Sequence, residues 1–229
     1  RGPYMPSEQV SATPNIYTFF SDNFFADGQL HNLTYSLDSR ATLDGKPFSA
    51  STSHLAYSPA SGKIYWSEVI PNKRWNLKQT SVIRAMEPGA KSIITLTSGC
   101  RHYNPSPSED GKLLSVTEYP YEGGSRLLVL DAETGTEICS ISAPDGFQIV
   151  ESAWIDDKIY VIGLTDDGVG IYLSGENFEP VLRPTQAKIK HLWSNGGCLY
   201  FTSDRTSVNE LYKLVQDKVE ELGMGDYLR

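Results

Sequence analysis

The chain has little with which to staple, anchor or catalyse. Its 229 residues hold three cysteines, Cys100, Cys139 and Cys198. The odd number excludes a fully paired intrachain framework, and the wide spacing excludes a CxxC metal knuckle. Free thiols are the expectation, and a Cys100–Cys139 bridge would need their strands to adjoin. No apolar run reaches the length of a membrane helix, so no direct membrane span is expected. Runs of Lys or Arg are missing, and 20 Lys plus Arg stand against 28 Asp plus Glu, a net charge of −8. Such a surface repels the phosphates of nucleic acids and anionic lipids, which excludes both as default partners. No stretch holds a helical period of 3.6 for long. There is no Gly-x-Ser-x-Gly elbow and no His-Glu-x-x-His among the placements of His31, His54, His102 and His191. The acidic turns Asp156-Asp157 and Asp166-Asp167-Gly168 lack EF-hand spacing and read as solvated turns. No cofactor and no enzymatic activity are therefore expected. Initiator Met and signal peptide are also missing, which reads as a processed chain or a piece of a longer protein.

What the chain does have is repetition. Ser61-Gly62-Lys63-Ile64-Tyr65-Trp66, Asp110-Gly111-Lys112-Leu113-Leu114, Asp156-Asp157-Lys158-Ile159-Tyr160 and Asn195-Gly196-Gly197-Cys198-Leu199-Tyr200 are each a tight turn entering an apolar strand. Their first apolar residues, Ile64, Leu113, Ile159 and Leu199, lie 49, 46 and 40 residues apart. A second anchor, at Ile83, Leu128, Ile171 and Leu211, repeats at 45, 43 and 40. Third strands follow at Ile93–Leu96, Ile138–Ile141, Pro180–Leu182 and Val219–Leu222. Alternating apolar and polar residues with Gly and Asp at the bends give half-buried antiparallel sheet. A doubly anchored period of this length predicts an all-β β-propeller of four-stranded antiparallel blades around a channel. About five repeats are recognisable, at 1–50, 51–99, 100–146, 147–186 and 187–229, or six if the termini add one. Residues 1–229 are read as a single propeller domain. The first repeat is assigned by matching Phe19-Phe20-Ser21-Asp22 to Phe201-Thr202-Ser203-Asp204, which aligns Phe20 with Tyr65.

Several segments carry a further likeness. Trp193-Ser194, Thr202-Ser203-Asp204-Arg205 and Glu210-Leu211-Tyr212 in the last repeat, with Pro107-Ser108-Glu109-Asp110-Gly111-Lys112 and Asp131-Ala132-Glu133-Thr134-Gly135 in the third, resemble the TolB-type, WD-like repeat of bacterial envelope proteins. The overall style is similar to propellers of Bacteroides-type bacteria. The resemblance covers residues 51–222 and implies a periplasmic or cell-surface setting and a role in binding. Similar propellers form the lids of prolyl-oligopeptidase-like and tricorn-like peptidases, so a domain of a larger hydrolase is the alternative. Family members commonly have six or more blades.

Links between the two central strands, and links between blades, emerge at the same end of a propeller. Here that end gathers recognition residues. The second repeat has a long link from Glu68 containing Arg74 and Trp75, and the third has Glu118, Tyr119 and Tyr121. The link between these repeats supplies Arg101, His102 and Tyr103. Arg, Trp and Tyr are common anchors of binding surfaces. The expected partner is a protein segment or glycan at this loop-rich end. The bland alternative has Trp75 packing on a blade edge and Arg74 pairing with Glu68. Glu68 and Glu118 end equivalent strands, and a glycosidase-like carboxylate pair facing across the channel is a further reading.

Overall fold

A computed structural model describes residues 18–26, 28–36, 41–48, 54–74, 79–90, 92–215 and 218–222. They form five four-stranded antiparallel sheets, the blades of a β-propeller. No described helix is long and apolar enough to cross a membrane. Blade 1 holds β1 (Thr18–Ala26), β2 (Gln29–Ser36), β3 (Ala41–Leu43) and β4 (Lys46–Pro47). Blade 2 holds β5 (Ala56–Ser58), β6 (Lys63–Ile70), β7 (Thr80–Met86) and β8 (Ile94–Thr95). Blade 3 holds β9 (His102–Pro107), β10 (Leu113–Glu118), β11 (Arg126–Asp131) and β12 (Glu137–Ser142). Blade 4 holds β13 (Gln148–Ile155), β14 (Lys158–Thr165), β15 (Gly168–Leu173) and β16 (Glu179–Thr185). Blade 5 holds β17 (Ile189–Asn195), β18 (Cys198–Ser203), β19 (Glu210–Val215) and β20 (Lys218–Glu221).

Strands within each blade follow chain order, so every connection is a hairpin. The two apolar anchors of each repeat are the second and third strands, and their side chains make the cores between blades. Ile64 and Trp66 of β6 pack on Phe24 and Leu33 of blade 1. Tyr65, from the other face of the same strand, packs on Leu114 and Val116 of blade 3. Leu127 and Val129 meet Ile149 and Val161 between blades 3 and 4. Ile162 and Ile171 meet Leu199, Phe201 and Leu214 between blades 4 and 5. Removing each such side chain from water stabilises by about 1.5–3 kcal/mol, so the stacking of blades is the main source of cohesion.

The first blade departs from the sequence expectation by one strand. Phe20 lies in the innermost strand β1, whereas Tyr65 lies in the second strand β6. The strand equivalent to β6 is β2, entered through the turn at Gly28, where φ is +73°. Phe-rich β1 imitates the apolar anchor because its Phe24 and Ala26 also face blade 2. The Cys100–Cys139 bridge is likewise ruled out. Cys100 precedes the innermost strand of blade 3 and Cys139 lies on its outermost strand, and all three cysteines are free.

The innermost strands carry a feature the repeat pattern does not show. In blades 1, 3, 4 and 5 the pairing of the first strand slips by a β-bulge, near Asp22, Asn104, Glu151 and Leu192. A bulge turns one residue out of the ladder. Polar residues at or beside these bulges fasten neighbouring blades. Asp22 Oδ2 accepts the Leu55 N–H at 2.7 Å, and Glu151 Oε2 accepts the Leu192 N–H at 2.9 Å. The Asn104 N–H donates to Ser67 Oγ at 3.0 Å, and its amide donates to the Val150 carbonyl.

Candidate functional site

At the loop-rich end a cleft of about 760 Å³ opens between blades 3 and 4. Arg101, Tyr103 and Tyr119 line one side. Phe147 and Gln148, from the link into blade 4, and Leu164, Thr165 and Asp166, from its β14–β15 hairpin, line the other. The hairpin register fixes that second side, since Leu164 pairs with Val169 and Thr165 with Gly168. Leu164 therefore projects at the rim and is exposed.

The wall on the blade 3 side is held rigidly. The Arg101 Nε donates to the Tyr119 carbonyl at 2.9 Å and a terminal nitrogen donates to the Pro120 carbonyl at 2.8 Å. Its guanidinium also lies 5.2 Å from the centre of the Tyr121 ring. Tyr121 in turn donates to the Gln79 carbonyl of blade 2 at 3.2 Å. Tyr119 donates its hydroxyl to the Ile149 carbonyl at 2.7 Å, and burial pushes its pKa up. The Tyr103 ring leans on Tyr119 with centroids 5.7 Å apart. The wall thus presents tyrosine rings whose positions are set before any ligand arrives, which lowers the entropic cost of binding.

Four residues expected on the binding surface, Arg101, Tyr103, Tyr119 and Tyr121, are brought together. His102 and Glu118 are not on that surface, and the expectation for them is corrected. Both are buried, at 5% exposure each. They face each other across β9 and β10, with His102 Nε2 at 3.5 Å from Glu118 Oε1. The Glu118 carboxylate accepts from Arg126 Nε at 2.6 Å and also contacts its terminal nitrogen. Burial pulls the His102 pKa down, against the opposing charge of Glu118. Alternation along β9 explains this: Arg101 and Tyr103 turn to the cleft, and His102 between them turns inward.

Glu68 stands on β6 in an ion pair with Arg84 Nε at 2.9 Å and accepts the Trp66 indole N–H at 3.3 Å. Glu68 and Glu118 sit on second strands rather than the channel-lining first strands, and each is bound by an arginine of its own blade. Arg74 lies on the exposed link of blade 2, its N–H donating to Asn72 Oδ1 at 2.9 Å. Trp75 lies outside the described residues. Leu164, Thr165 and Asp166 line the cleft without standing out in the repeat pattern. The signal was present, because a short hairpin facing a long link leaves a step in the surface.

No protein-family model matches the sequence, and no curated protein is significantly similar to it. Solved structures do match in shape. A prolyl endopeptidase superposes with a TM-score of 0.60 at 10% identity, over 92% of this chain and 36% of that one. TolB from Acinetobacter baumannii gives 0.55 at 15% identity, over 84% and 53%. The β-propeller domain of the trilobed protease from Pyrococcus furiosus, which has an open velcro topology, gives 0.50 at 13% identity, over 91% and 84%. This chain spans little more than a third of the prolyl endopeptidase and about half of TolB. At such identities the likeness concerns the fold: the chain is a β-propeller of the form shared by TolB and the propeller domains of peptidases.

Proposed function

We propose that the chain is a non-enzymatic binding module that holds a polypeptide segment in the cleft between blades 3 and 4. The observation that supports this reading is the clamped tyrosine wall formed by Arg101, Tyr103 and Tyr119 opposite Leu164. Tyrosines supply large contact area at low cost in side-chain entropy, and a mixed apolar and polar lining suits a peptide better than a phosphate or a metal. Arg101 acts by positioning the wall. Tyr103 and Leu164 are the expected contacts. An exported setting in the cell envelope belongs to this reading, by analogy with the TolB-type repeat.

The test is selection of binders from a displayed library of random peptides, followed by titration of the best binder. Tyr103→Ala and Leu164→Ala are each expected to weaken it at least about tenfold, the cost of losing an anchor. Selected peptides that bind both variants as tightly as the parent would refute the cleft.

A second reading is the propeller domain of a larger peptidase, favoured by the match to just over a third of a prolyl endopeptidase chain. A hydrolase domain encoded in the same reading frame would decide for it.

A further inference from the structure

Every blade ends in an outermost strand whose outer backbone groups have no ladder partner among the described residues. Such an edge pairs with stray strands unless it is short, charged or broken by proline. Four of the five edges carry a device of this kind. β4 and β8 are two residues long, and β4 ends in Pro47. β16 holds Pro180, Arg183 and Pro184, and its pairing slips twice. β20 is four residues long and includes Lys218, Glu220 and Glu221. β12 is the exception. It has six residues, no proline and no basic residue, and its one charge, Glu137, stands at its start. A bulge at Ile138 disturbs the pairing there. Beyond it the strand runs regularly as Cys139-Ser140-Ile141-Ser142 and leads into Ala143.

The ladder fixes which backbone groups this edge offers. The Ala143 N–H donates to the Ser125 carbonyl at 2.9 Å. Hydrogen-bonded pairs alternate along an antiparallel ladder. Leu127–Ile141 and Val129–Cys139 continue the same register and so turn their backbone groups toward each other. The N–H and C=O of Ser140 and Ser142 therefore point outward from the sheet. Cys139, Ser140 and Ser142 are exposed, and Ile141 and Ala143 are half-buried. Cys139, Ile141 and Ala143 share one face by alternation, and Ile141 and Ala143 pack on the core between blades 3 and 4.

We propose that β12 is a self-association edge, pairing antiparallel with β12 of a second copy about a two-fold axis at Ile141. The occupant is a second copy because Cys139–Ala143 reads nearly the same in both directions, small–Ser–Ile–Ser–small. A two-fold interface needs a patch that complements itself, and this stretch does so residue by residue. Ser140 of each copy exchanges both backbone hydrogen bonds with Ser142 of the other. Ile141 meets its own copy at the closely spaced position between them, and Cys139 meets Ala143, so apolar side chains pair on one face. The two Glu137 carboxylates lie eight residues apart along the joined strands, about 27 Å. At physiological salt that is well beyond the screening length of about 8 Å.

The test is sedimentation velocity of the protein from about 10 µM to about 1 mM, where a small interface is expected to give a reversible monomer–dimer equilibrium. Ser140→Pro removes an outward N–H and no bond to β11. It is expected to weaken dimerisation at least about tenfold and to shift Tm by no more than about 2 °C. If that variant fails to fold, amide exchange of the parent serves instead, with the Ser140 and Ser142 N–H groups protected at the high concentration and open at the low one. Ala143→Cys reads the register. It sets a thiol opposite Cys139 of the second copy with Cα atoms about 4.5 Å apart, within disulfide reach. Mild oxidation is expected to give a covalent dimer joined through Cys139 and the introduced thiol. A protein that stays monomeric at about 1 mM overturns the proposal, as does a dimer indifferent to Ser140→Pro or cross-linked elsewhere. So does protection of the β12 amides by an added foreign peptide without dimerisation, because another chain would then be the occupant.

Discussion

His54 and His102 carry opposite pH signs, for reasons visible around each ring. His102 is buried beside Glu118, and burial holds its folded-state pKa below the ordinary value. The unfolded chain therefore takes up a proton that the folded chain resists. The stability His102 contributes is full above about pH 6.5 and is lost as pH falls below it. His54 is the reverse case. Burial opposes its charge, but the hydrogen bond and charge of Asp22, helped by Glu151, outweigh that and raise the pKa. Its Nδ1 lies 2.9 Å from Asp22 Oδ2. That contribution is full below about pH 6.5 and disappears as pH rises through the raised folded value. Chemical denaturation across pH 5 to 9 is expected to separate the two. His102→Gln should relieve the acid-side loss, and His54→Gln should lower stability in acid while leaving it unchanged in base. A profile indifferent to both substitutions would contradict these assignments.

The tight hairpins set an equally specific demand on the elements they join. In the β11–β12 turn, Asp131 Oδ1 accepts from the Thr134 N–H at 2.8 Å and from its hydroxyl, and the chain reverses at Gly135 with φ +72°. A Cβ at Gly135 would lie 2.1 Å from the Leu96 carbonyl oxygen of blade 2. Gly197, in the β17–β18 hairpin, has the same φ and open space around it. Gly197→Ala is therefore expected to cost about 1 kcal/mol from backbone strain alone. Gly135→Ala should cost clearly more, because backbone must move between blades. Urea midpoints of the two variants would check the order, and equal losses would show that the approach to Leu96 is easily relaxed.

These turns were also what made the fold readable. Gly111, Gly135 and Gly197 punctuate the chain, and the apolar strands beginning at Ile64, Leu113, Ile159 and Leu199 repeat between such turns. The first strands were not readable in the same way. Pairs such as Asn104-Pro105 and Glu151-Ser152 interrupt alternation, because a strand lining the axis and carrying a bulge has polar work on one side. In blade 1 the Phe-rich β1 instead imitates a second strand, which shifts the alignment of Phe20 by one strand. The cleft was half readable. Loop composition pointed to Arg101, Tyr103, Tyr119 and Tyr121, but His102 and Glu118 were assigned to the surface because a sequence does not show which way a strand residue turns. Leu164 lies in an unremarkable hairpin and becomes part of a cleft only when its neighbour's longer link stands opposite it.

At the scale of the molecule, protection should follow the burial of the blades. Strands β10 and β11 are covered on both faces, whereas β2 and β18 are covered on one. Amide hydrogen exchange is expected to be slowest in β10 and β11 and fastest in the end blades, by at least about tenfold, since exchange tracks local opening. Uniform protection across all five blades would mean that the array opens only as a whole.

The separateness of the four cores has a consequence for how the chain comes apart. Each blade touches its neighbours through a private cluster, so its stability behaves as a sum over nearest-neighbour couplings, in the manner of a linear array. Such an array loses members from its ends, and fraying at blade 5 leaves the cluster between blades 2 and 3 untouched. The side chains of Asp22, Asn104 and Glu151 act against this separability, because each crosses to the next blade close to the axis, where a small displacement breaks the bond. Unfolding of this protein is then a contest between lateral independence and axial fastening. Weakening the fastenings would turn one sharp denaturation transition into a broad succession of partial ones.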